Sequence, residues 1–442
     1  MTSKKILFIS FYYEILKAYR PYIEQFKDVY VYATAYSEGN DYKRTIELLE
    51  SMNVNYEIVK SINPVDDYLY VSKNKFTKYF HTLYIELKLK RIGATLLKKI
   101  KPSVVVVGAD KREFERLVIR KAKKLNIKTV CLQWSLGPIT EKSLIENKYE
   151  TLISDHNFDK NPSLIYVALS KLSLIYRWIL GVNTKVYANC YGGGDADVLA
   201  VMGKGSKRFF IEQGIPEKKI RIVGNALIER QSIDNKKFTA DEAMLASIGL
   251  SKASKFLLYC TGYLKTGYYN YTKKEDLLHQ RTIKIKELLK INDNFLVVVK
   301  LHPKENLSEF DELKTISNRV LLIQDVDVNF LLPYCELLFT RQSTTVIYAL
   351  SFKKPVLTHN VPPMPMGSYY KDIGGTLHAD SLDEIKKYTK LILGDDQDAH
   401  NLIEQRRKKF MSKYLNINED LNNFRVNSFP AVLKLCKIIE EM

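Results

Sequence analysis

The chain has 442 residues, of which 46% are hydrophobic, and its 68 Lys and Arg outnumber its 50 Asp and Glu to give a formal net charge of +18. This length predicts two or three domains, and the composition excludes collagen-like and disordered chains. The positive charge should attract an anion: nucleic acid, a phosphorylated metabolite, anionic lipid or acidic polysaccharide. Alternatively, much of the excess positive charge has no functional role and follows from a general bias of the composition toward Lys, Ile, Asn and Tyr.

The cysteines and the apolar stretches limit the location of the protein. The five cysteines are Cys131, Cys190, Cys260, Cys335 and Cys436. They lie far apart with no Cys-x-x-Cys pair, which argues against a disulfide framework or a zinc site and predicts a cytoplasmic protein. Residues 1–10 lack a cleavage site and are interpreted as a first strand rather than a signal peptide. The most apolar stretch, Leu164–Val182, is interrupted by Lys171 and Arg177 and makes a poor transmembrane helix.

The first half of the chain alternates strand-like apolar runs with helical patterns. Strands are predicted at Lys5–Ser10, Val29–Ala33, Val54–Val59, Val104–Val107, Thr129–Leu132 and Val198–Met202. Between them lie helical patterns such as Glu113–Leu125. This alternation is typical of a parallel sheet with crossover helices.

A second series of the same kind begins after Asn225. Strands are predicted at Phe256–Cys260, Phe295–Leu301, Val320–Ile323, Leu337–Thr340 and Pro355–His359. The chain therefore resolves into an α/β domain over 1–228, a second over 229–415 and a C-terminal helical segment over 416–442 that is expected to pack back on the first domain. Two doubly wound α/β domains facing a cleft would bind ligands at the carboxyl ends of their strands.

The strongest candidate site is the run Lys300-Leu301-His302-Pro303-Lys304, which follows a strand directly. A histidine fixed there by proline can donate a hydrogen bond to a phosphate, and Lys300 and Lys304 add positive charge. Alternatively, the run is a solvated turn of a basic protein.

A second candidate lies between the strand ending at Thr340 and a helix predicted over Val346–Phe352. Arg341 is followed, after Gln342, by the hydroxyl residues Ser343, Thr344 and Thr345. Hydroxyls at a helix start cap it and leave backbone N–H groups for an anion. As a cap alone the motif is common, but beside the His302 loop it predicts a phosphate site.

Two further strand ends carry weaker signals. Thr261-Gly262 follows the strand Phe256–Cys260, where a glycine allows a ligand to approach the backbone. The spacing to Gly267 does not complete a dinucleotide fingerprint, which argues against nicotinamide chemistry.

Acidic residues of the first half are candidates for a general base. Asp110 follows the four-valine strand and Glu113 lies on the next helix, with Glu14 after the first strand as an alternative. Asp110 has a competing interpretation as the N-cap of that helix.

Several runs of the chain together resemble one fold family. These runs are Asp197–Gly203, Phe210–Pro216, Ile220–Ala226, His302-Pro303, Phe330–Glu336, Ser343–Thr345 and Lys354–Leu357. They resemble GT-B-fold enzymes, a group that includes non-hydrolysing UDP-N-acetylglucosamine 2-epimerases, CDP-glycerol glycerophosphotransferases, and sialyl- and capsule Kdo-transferases. The likeness covers residues 195–360 well and the first domain in outline.

The resemblance implies roles for the motif residues. His302 and Ser343, with Thr344 nearby, would bind the donor phosphate. Thr344-Thr345 replaces the glycine pair of the epimerases, the following helix lacks their ribose-binding glutamate, and Gln133 stands where they have a glutamate. Ser37-Glu38-Gly39 only partly echoes the paired-acid motif of the sialyltransferases.

We therefore predict a glycosyltransferase that moves a sugar from a nucleotide donor, a CMP-sugar first and a UDP-sugar next, to a cell-surface polysaccharide or glycolipid. No metal and no cofactor are implied, because histidine, hydroxyls and lysines can neutralise the leaving phosphate. The alternatives are a CDP-alcohol-dependent polyol-phosphate transferase and a 2-epimerase-like enzyme.

A nucleic-acid-binding protein ranks last, because basic residues do not interleave with aromatic residues on one segment. Peripheral attachment to the inner face of an anionic membrane is a further expectation, based on Leu164–Val182. Its apolar residues recur at helical spacing beside Lys171, Arg177 and Trp178. Alternatively, that helix packs inside the protein.

Overall fold

The computed structural model describes most of the chain, in twelve segments. They are residues 4–11, 13–36, 41–61, 75–110, 113–136, 192–233, 242–262, 273–303, 305–341, 343–362, 369–417 and 429–442. These residues form two compact units, one comprising 4–227 with 429–442 and the other comprising 228–417. We refer to them as the first and the second domain.

The first domain is a seven-stranded parallel sheet with the order β3-β2-β1-β4-β5-β6-β7. Its strands are β1 (Ile6–Ser10), β2 (Val29–Tyr36), β3 (Asn55–Ser61), β4 (Val104–Val107), β5 (Lys128–Leu132), β6 (Val198–Val201) and β7 (Ile220–Ile222). Its helices are α1 (Tyr13–Ile23), α2 (Asp41–Met52), α3 (Lys75–Ile100), α4 (Glu113–Lys124) and α5 (Lys204–Glu212), and α6 (Ala226–Ile233) leads into the second domain.

The second domain is a six-stranded parallel sheet with the order β10-β9-β8-β11-β12-β13. Its strands are β8 (Phe256–Cys260), β9 (Leu296–Lys300), β10 (Val320–Ile323), β11 (Leu337–Thr340), β12 (Val356–His359) and β13 (Leu377–Ala379). Its helices are α7 (Glu242–Ser247), α8 (Lys274–Leu289), a 3₁₀ helix (Leu307–Ile316), α9 (Val328–Leu331), α10 (Thr345–Ser351), α11 (Tyr369–Ile373), α12 (Leu382–Leu393) and α13 (Gln397–Leu415).

The central strands explain why both sheets are parallel and covered on both faces. Every residue of β1, β4, β8 and β11 is buried. Continuous apolar runs of this kind belong to strands that have helices on both sides. In each sheet the strand order reverses beside the first strand, between β1 and β4 and between β8 and β11. In open α/β sheets ligands bind at this point, outside the carboxyl ends of the strands.

The prediction of two doubly wound α/β domains is confirmed, and most predicted strands agree with the structure to within two residues. The strands β7 and β13 were not predicted, because three residues are too few to show an alternating pattern. Glu14, predicted in a loop, lies in the first turn of α1. The stretch Leu164–Val182 lies outside the described residues.

The last helix, α14 (Pro430–Glu441), belongs to the first domain. Lys4 Nζ just before β1 donates to the Ile439 carbonyl at 2.8 Å and to the Glu440 carbonyl at 3.1 Å. Lysine at the end of a helix stabilises its unpaired carbonyl groups. None of the helices in the described segments is both long and apolar enough to span a bilayer.

Candidate functional site

Three of the predicted site loops are neighbours at the carboxyl edge of the second sheet. β8 lies between β9 and β11, and Cys260 pairs with Lys300 on one side and with Thr340 on the other. The residues that follow these strand ends are therefore adjacent, so the sheet places the Thr261, His302 and Ser343 loops side by side at its switch point.

The His302 loop is held by Glu305, a residue that was not predicted. Glu305 Oε2 accepts from the His302 backbone N–H at 3.1 Å and from Thr261 Oγ1 at 3.1 Å. The Glu305 N–H in turn donates to the His302 carbonyl at 2.9 Å. Glu305 is only 4% exposed, whereas His302 is half-buried and Pro303 exposed. The carboxylate thus joins the ends of β8 and β9 beneath the histidine.

Arg281 of α8 supplies the opposite charge. Its Nη2 lies 2.5 Å from Glu305 Oε1, and both side chains are almost completely buried. The guanidinium also lies 4.3 Å above the Phe310 ring, a cation–π contact that suits a desolvated arginine. A buried ion pair of this kind depends on both partners, because either charge alone would be left without compensation.

Lys300 does not point where it was predicted to. Its Nζ donates to the Gln324 carbonyl at 2.5 Å and to the Leu301 carbonyl at 3.4 Å, and the residue is 8% exposed. The ammonium therefore contacts backbone carbonyls rather than a position open to a phosphate. Gln324 Nε2 donates to the His302 carbonyl at 2.9 Å, so the histidine backbone is bonded on both sides. Lys304 lies outside the described residues.

The hydroxyl motif forms a tight turn before α10. Ser343 Oγ accepts from the Thr345 N–H at 3.2 Å and donates to Thr345 Oγ1 at 2.9 Å. Thr344 precedes the helix without a side-chain capping bond. Tyr370 from α11 donates to the Ser343 carbonyl at 2.8 Å and is buried. All three hydroxyl residues are half-buried, so their side chains remain accessible at this edge.

Arg341 is also directed to backbone carbonyls. Its Nη2 lies 2.5 Å from the Val361 carbonyl and its Nη1 lies 3.2 Å from the Pro362 carbonyl. Lys284 Nζ from α8 donates to the same Val361 carbonyl at 3.0 Å. Arg341 and Lys284 therefore hold the segment after β12 together. The strand pattern did not predict this arrangement, because Lys284 lies on α8, far from Arg341 in the sequence.

Burial and mutual repulsion shift the ionisation of this cluster. Burial lowers the pKa of Lys284 well below its usual range, and Arg341 and Arg281 lower it further. Burial likewise lowers the pKa of His359 well below 6.5, with Lys284, Arg341 and His378 contributing in the same direction. The His359 ring stacks on Phe339 at 4.5 Å. Lys284 and His359 therefore hold their protons less readily than usual, because burial and the neighbouring basic side chains disfavour their charged forms.

The predicted general bases of the first domain lie at the carboxyl edge of its sheet. Asp110 follows β4 and is completely buried, with Lys219 Nζ at 3.9 Å from its Oδ2. A Cβ at Gly194 would lie 2.3 Å from the Asp110 carbonyl oxygen, so the chain closes over this aspartate. The enclosure suits a structural carboxylate, and a general-base role for Asp110 stays a prediction.

The other candidates differ in accessibility. Glu14 is exposed on α1, and Glu113 begins α4. Gln133 after β5 is buried, where its Oε1 accepts from the Met202 N–H at 2.9 Å and its Nε2 donates to the Ser135 carbonyl at 3.0 Å. The Ser37-Glu38-Gly39 motif lies outside the described residues. Within the described segments, no group of three His, Cys, Asp or Glu side chains is arranged to hold a metal ion.

Gly262 at the end of β8 has a left-handed backbone conformation, which was not predicted from the sequence. Its φ is +69°, and a Cβ added there would meet nothing within 4 Å. The left-handed backbone alone explains the glycine, because the open space would accommodate a Cβ; the approach of a ligand to this backbone stays a prediction.

Comparison with known proteins shows the fold. No protein-family model matches the chain, and no curated protein sequence matches it. Among solved structures, it is similar to UDP-GlcNAc 2-epimerase from Neisseria meningitidis bound to UDP-GlcNAc, with 14% identity, a TM-score of 0.60, and 99% of this chain and 100% of that chain covered. It is also similar to S. aureus MnaA in complex with UDP, with 16% identity, a TM-score of 0.59, and coverage of 99% and 96%.

A glycosyltransferase has the same architecture. The chain is similar to CalG4, the calicheamicin glycosyltransferase, with 12% identity, a TM-score of 0.59, and 100% of this chain and 99% of that chain covered. Both domains therefore have the Rossmann-like parallel sheets of the GT-B fold, as the sequence motifs predicted.

Proposed function

We propose that the protein is an enzyme acting on a nucleotide-activated sugar, with the donor phosphate bound at the carboxyl edge of the second sheet. The observation that carries the proposal is the adjacency of two loops, one bearing the half-buried imidazole of His302 and one bearing the hydroxyls of Ser343 and Thr345. Imidazole and hydroxyl groups are hydrogen-bond donors for phosphate oxygens. The similarity to enzymes crystallised with UDP and UDP-GlcNAc supports this substrate class.

The reaction we propose is glycosyl transfer. His302 and Ser343 stabilise the charge that develops on the departing phosphate, and Thr344 and Thr345 contribute hydroxyls beside them. An acid of the first domain removes the proton from the acceptor hydroxyl, with Asp110, Glu113 and Glu14 as the candidates. The acceptor we propose is a growing cell-surface polysaccharide or glycolipid, reached from the cytoplasmic side of the membrane.

Two observations favour transfer over 2-epimerisation, although epimerases have the same fold. Helix α10 reads TVIYALS and contains no glutamate for a donor ribose. Gln133, where the resemblance implies a glutamate, is bonded to the backbone on both sides of its amide and cannot act as an acid or base. Epimerisation of a UDP-sugar remains the second candidate because of the solved neighbours.

The test is product analysis with the purified protein and a panel of CMP-, CDP-, UDP- and GDP-activated compounds. Glycosyl transfer releases the nucleotide and joins the sugar to the acceptor oxygen, and donor hydrolysis releases the nucleotide and the free sugar. Polyol-phosphate transfer from a CDP-alcohol releases CMP and forms a phosphodiester, and an epimerase keeps nucleotide and sugar joined. Release of nucleotide from a CMP- or UDP-sugar supports the proposal. A change at C2 of an intact UDP-sugar, with no nucleotide released, contradicts transfer.

A further inference from the structure

We propose that Glu305 is the positioning residue of the donor-phosphate site: its carboxylate sets the orientation of His302, and Arg281 holds that carboxylate in place. The inference rests on the proposed function, because His302 is the residue being oriented. It goes beyond the predicted motif, in which only His302 and Pro303 have a role.

Glu305 makes the glutamate hydrogen bond of a capping box, but at a loop rather than at the start of an α-helix. In a capping box a glutamate three residues after the first residue of a helix accepts from the N–H of that first residue. Glu305 accepts from the His302 N–H in this way, with Pro303 next in sequence. The residues after Glu305 do not continue into an α-helix; a 3₁₀ helix begins at Leu307. The bond therefore shapes a loop rather than starting an α-helix.

Glu305 differs from an ordinary helix-capping glutamate, which is exposed to solvent, because its side chain is buried. Glu305 is 4% exposed and its carboxylate joins three elements: the turn after β9, Thr261 after β8 and Arg281 on α8. Placing a carboxylate and a guanidinium together in the interior costs desolvation energy that a turn alone does not require. The buried pair lies where it holds the ends of β8 and β9 at a fixed distance from each other.

The consequence for His302 follows from its two backbone bonds. Its N–H is bonded to Glu305 and its carbonyl accepts from the Gln324 amide, so the backbone of His302 has little freedom to rotate. These two bonds fix the direction of the Cα–Cβ bond of His302, and with it the position from which the imidazole extends, before a ligand arrives. Preorganised donors of this kind stabilise developing charge without first having to reorient.

The substitution Glu305→Gln tests the inference because it keeps the shape and removes the charge. The amide has a single acceptor oxygen, so it cannot serve Arg281 on one side and both His302 N–H and Thr261 Oγ1 on the other. Glu312→Gln is the matched control: Glu312 forms an exposed ion pair with Lys274 at 3.3 Å, between the same helix α8 and the 3₁₀ helix that follows Glu305.

Two measurements are made on each full-length variant. The first is calorimetric titration with UDP and with CMP. The second is the amide ¹H–¹⁵N spectrum of protein labelled with ¹⁵N-histidine, in which the seven histidines give few peaks and His302→Ala identifies the peak of His302. A hydrogen bond to a carboxylate shifts an amide proton downfield, and this readout does not depend on activity.

We expect Glu305→Gln to move the His302 amide proton upfield and to weaken nucleotide binding by about tenfold to a hundredfold, the range for loss of a hydrogen bond to a charged group. Glu312→Gln should leave the chemical shift of that proton and the nucleotide affinity unchanged.

Thr261→Val is the second variant, to be used if Glu305→Gln fails to fold. It keeps the Arg281–Glu305 pair and removes one donor to Oε2, so it should weaken nucleotide binding by roughly twofold to tenfold.

The outcomes separate the two proposals. If wild-type protein binds neither UDP nor CMP, the proposed function is contradicted and this inference fails with it. If the wild type binds a nucleotide and Glu305→Gln, or Thr261→Val in its place, binds with the same affinity and an unmoved His302 peak, the positioning role alone is overturned.

Discussion

The carboxyl edges of the two sheets differ in the charges that they bury. In the first domain, buried Asp110 lies near one buried cation, Lys219. In the second domain, four basic side chains are buried at this edge among the described residues, around the carboxylate of Glu305: Arg281, Lys284, Lys300 and Arg341. Arg281 pairs with Glu305, whereas Lys284, Lys300 and Arg341 donate to backbone carbonyls, so these side chains hold the loops of this edge in place. The proposed anion site lies at this second edge, beside the loops that these basic side chains hold.

The largest expected effect comes from breaking the compensated pair of the second edge. Arg281→Met leaves Glu305 buried without its partner and should lower the free energy of unfolding by about 3–5 kcal/mol. Lys274→Met, which breaks the exposed pair with Glu312, should cost about 0–1 kcal/mol. Urea unfolding followed by circular dichroism gives both values.

The same experiment assigns the loss to a domain. Both tryptophans, Trp134 and Trp178, precede residue 228, so tryptophan fluorescence reports on the first part of the chain. We expect Arg281→Met to shift the dichroism transition while the fluorescence transition stays in place. Equal unfolding free energies for Arg281→Met and Lys274→Met would show that the buried ion pair contributes no more to stability than the exposed one.

Substitution of one glycine at each edge compares the cost of close packing with the cost of backbone strain in the free energy of unfolding. Gly194→Ala places a Cβ 2.3 Å from the Asp110 carbonyl oxygen and should destabilise the first domain by roughly 1–3 kcal/mol through overpacking. Gly262→Ala meets nothing within 4 Å but keeps a φ of +69°, which costs roughly 1–2 kcal/mol. The first loss should appear in tryptophan fluorescence and the second only in circular dichroism. Wild-type stability for Gly194→Ala would contradict the close packing over Asp110.

The pH dependence of stability tests the burial of His359 beside the basic side chains of the second edge. Because the folded-state pKa of His359 lies well below 6.5, the unfolded chain binds a proton below about pH 6.5 that the folded domain does not. The stability of the wild type should therefore fall by about 1.4 kcal/mol per pH unit more than that of His359→Gln between pH 6.5 and the lowered pKa. Urea unfolding at pH 7, 6 and 5 measures the difference.

His400, which is exposed on α13, provides the matched control for this measurement. His400→Gln should keep the wild-type dependence on pH. If His359→Gln also keeps it, the buried histidine does not titrate as its surroundings require.

The smallest effect concerns the hydroxyl turn. Ser343→Ala removes the hydroxyl proposed to donate to the phosphate and the acceptor for the Thr345 N–H, and we expect nucleotide affinity to fall by about fivefold, equivalent to about 1 kcal/mol. Ser381→Ala is the control, since Ser381 accepts from the Glu384 N–H at the start of α12 away from this edge. Calorimetric titration should find its nucleotide affinity equal to that of the wild type. Equal affinity for Ser343→Ala would remove the hydroxyl from the site.

The sequence predicted the parts of the molecule that depend on local pattern. Continuous apolar runs located the central strands, and His302 and Ser343 were singled out by their residue types, their position after a strand and the family resemblance; their role stays a prediction. It did not predict the partners that come from elsewhere in the chain, because Arg281 and Lys284 lie on a helix whose pattern shows burial but not what each cation faces. Glu305 offered one local signal, its place three residues after His302 in a capping-box spacing.

The directions of the lysine and arginine side chains also escaped prediction. Lys300 and Arg341 were expected to face a phosphate on account of their charge, yet both donate to backbone carbonyls of neighbouring loops. Such carbonyls exist only once the loops after β10 and β12 are in place. A motif identifies which loop lies at the site, whereas tertiary contacts decide which of its side chains remain accessible.

The most direct test of the account is calorimetric titration of UDP and CMP into the wild type, His302→Ala and Glu312→Gln. The account predicts saturable binding of at least one nucleotide by the wild type and by Glu312→Gln, and binding at least about tenfold weaker by His302→Ala, since a hydrogen bond to a charged phosphate is lost. Binding of equal strength by His302→Ala, or no binding of either nucleotide by the wild type, would contradict a donor-phosphate site at this edge.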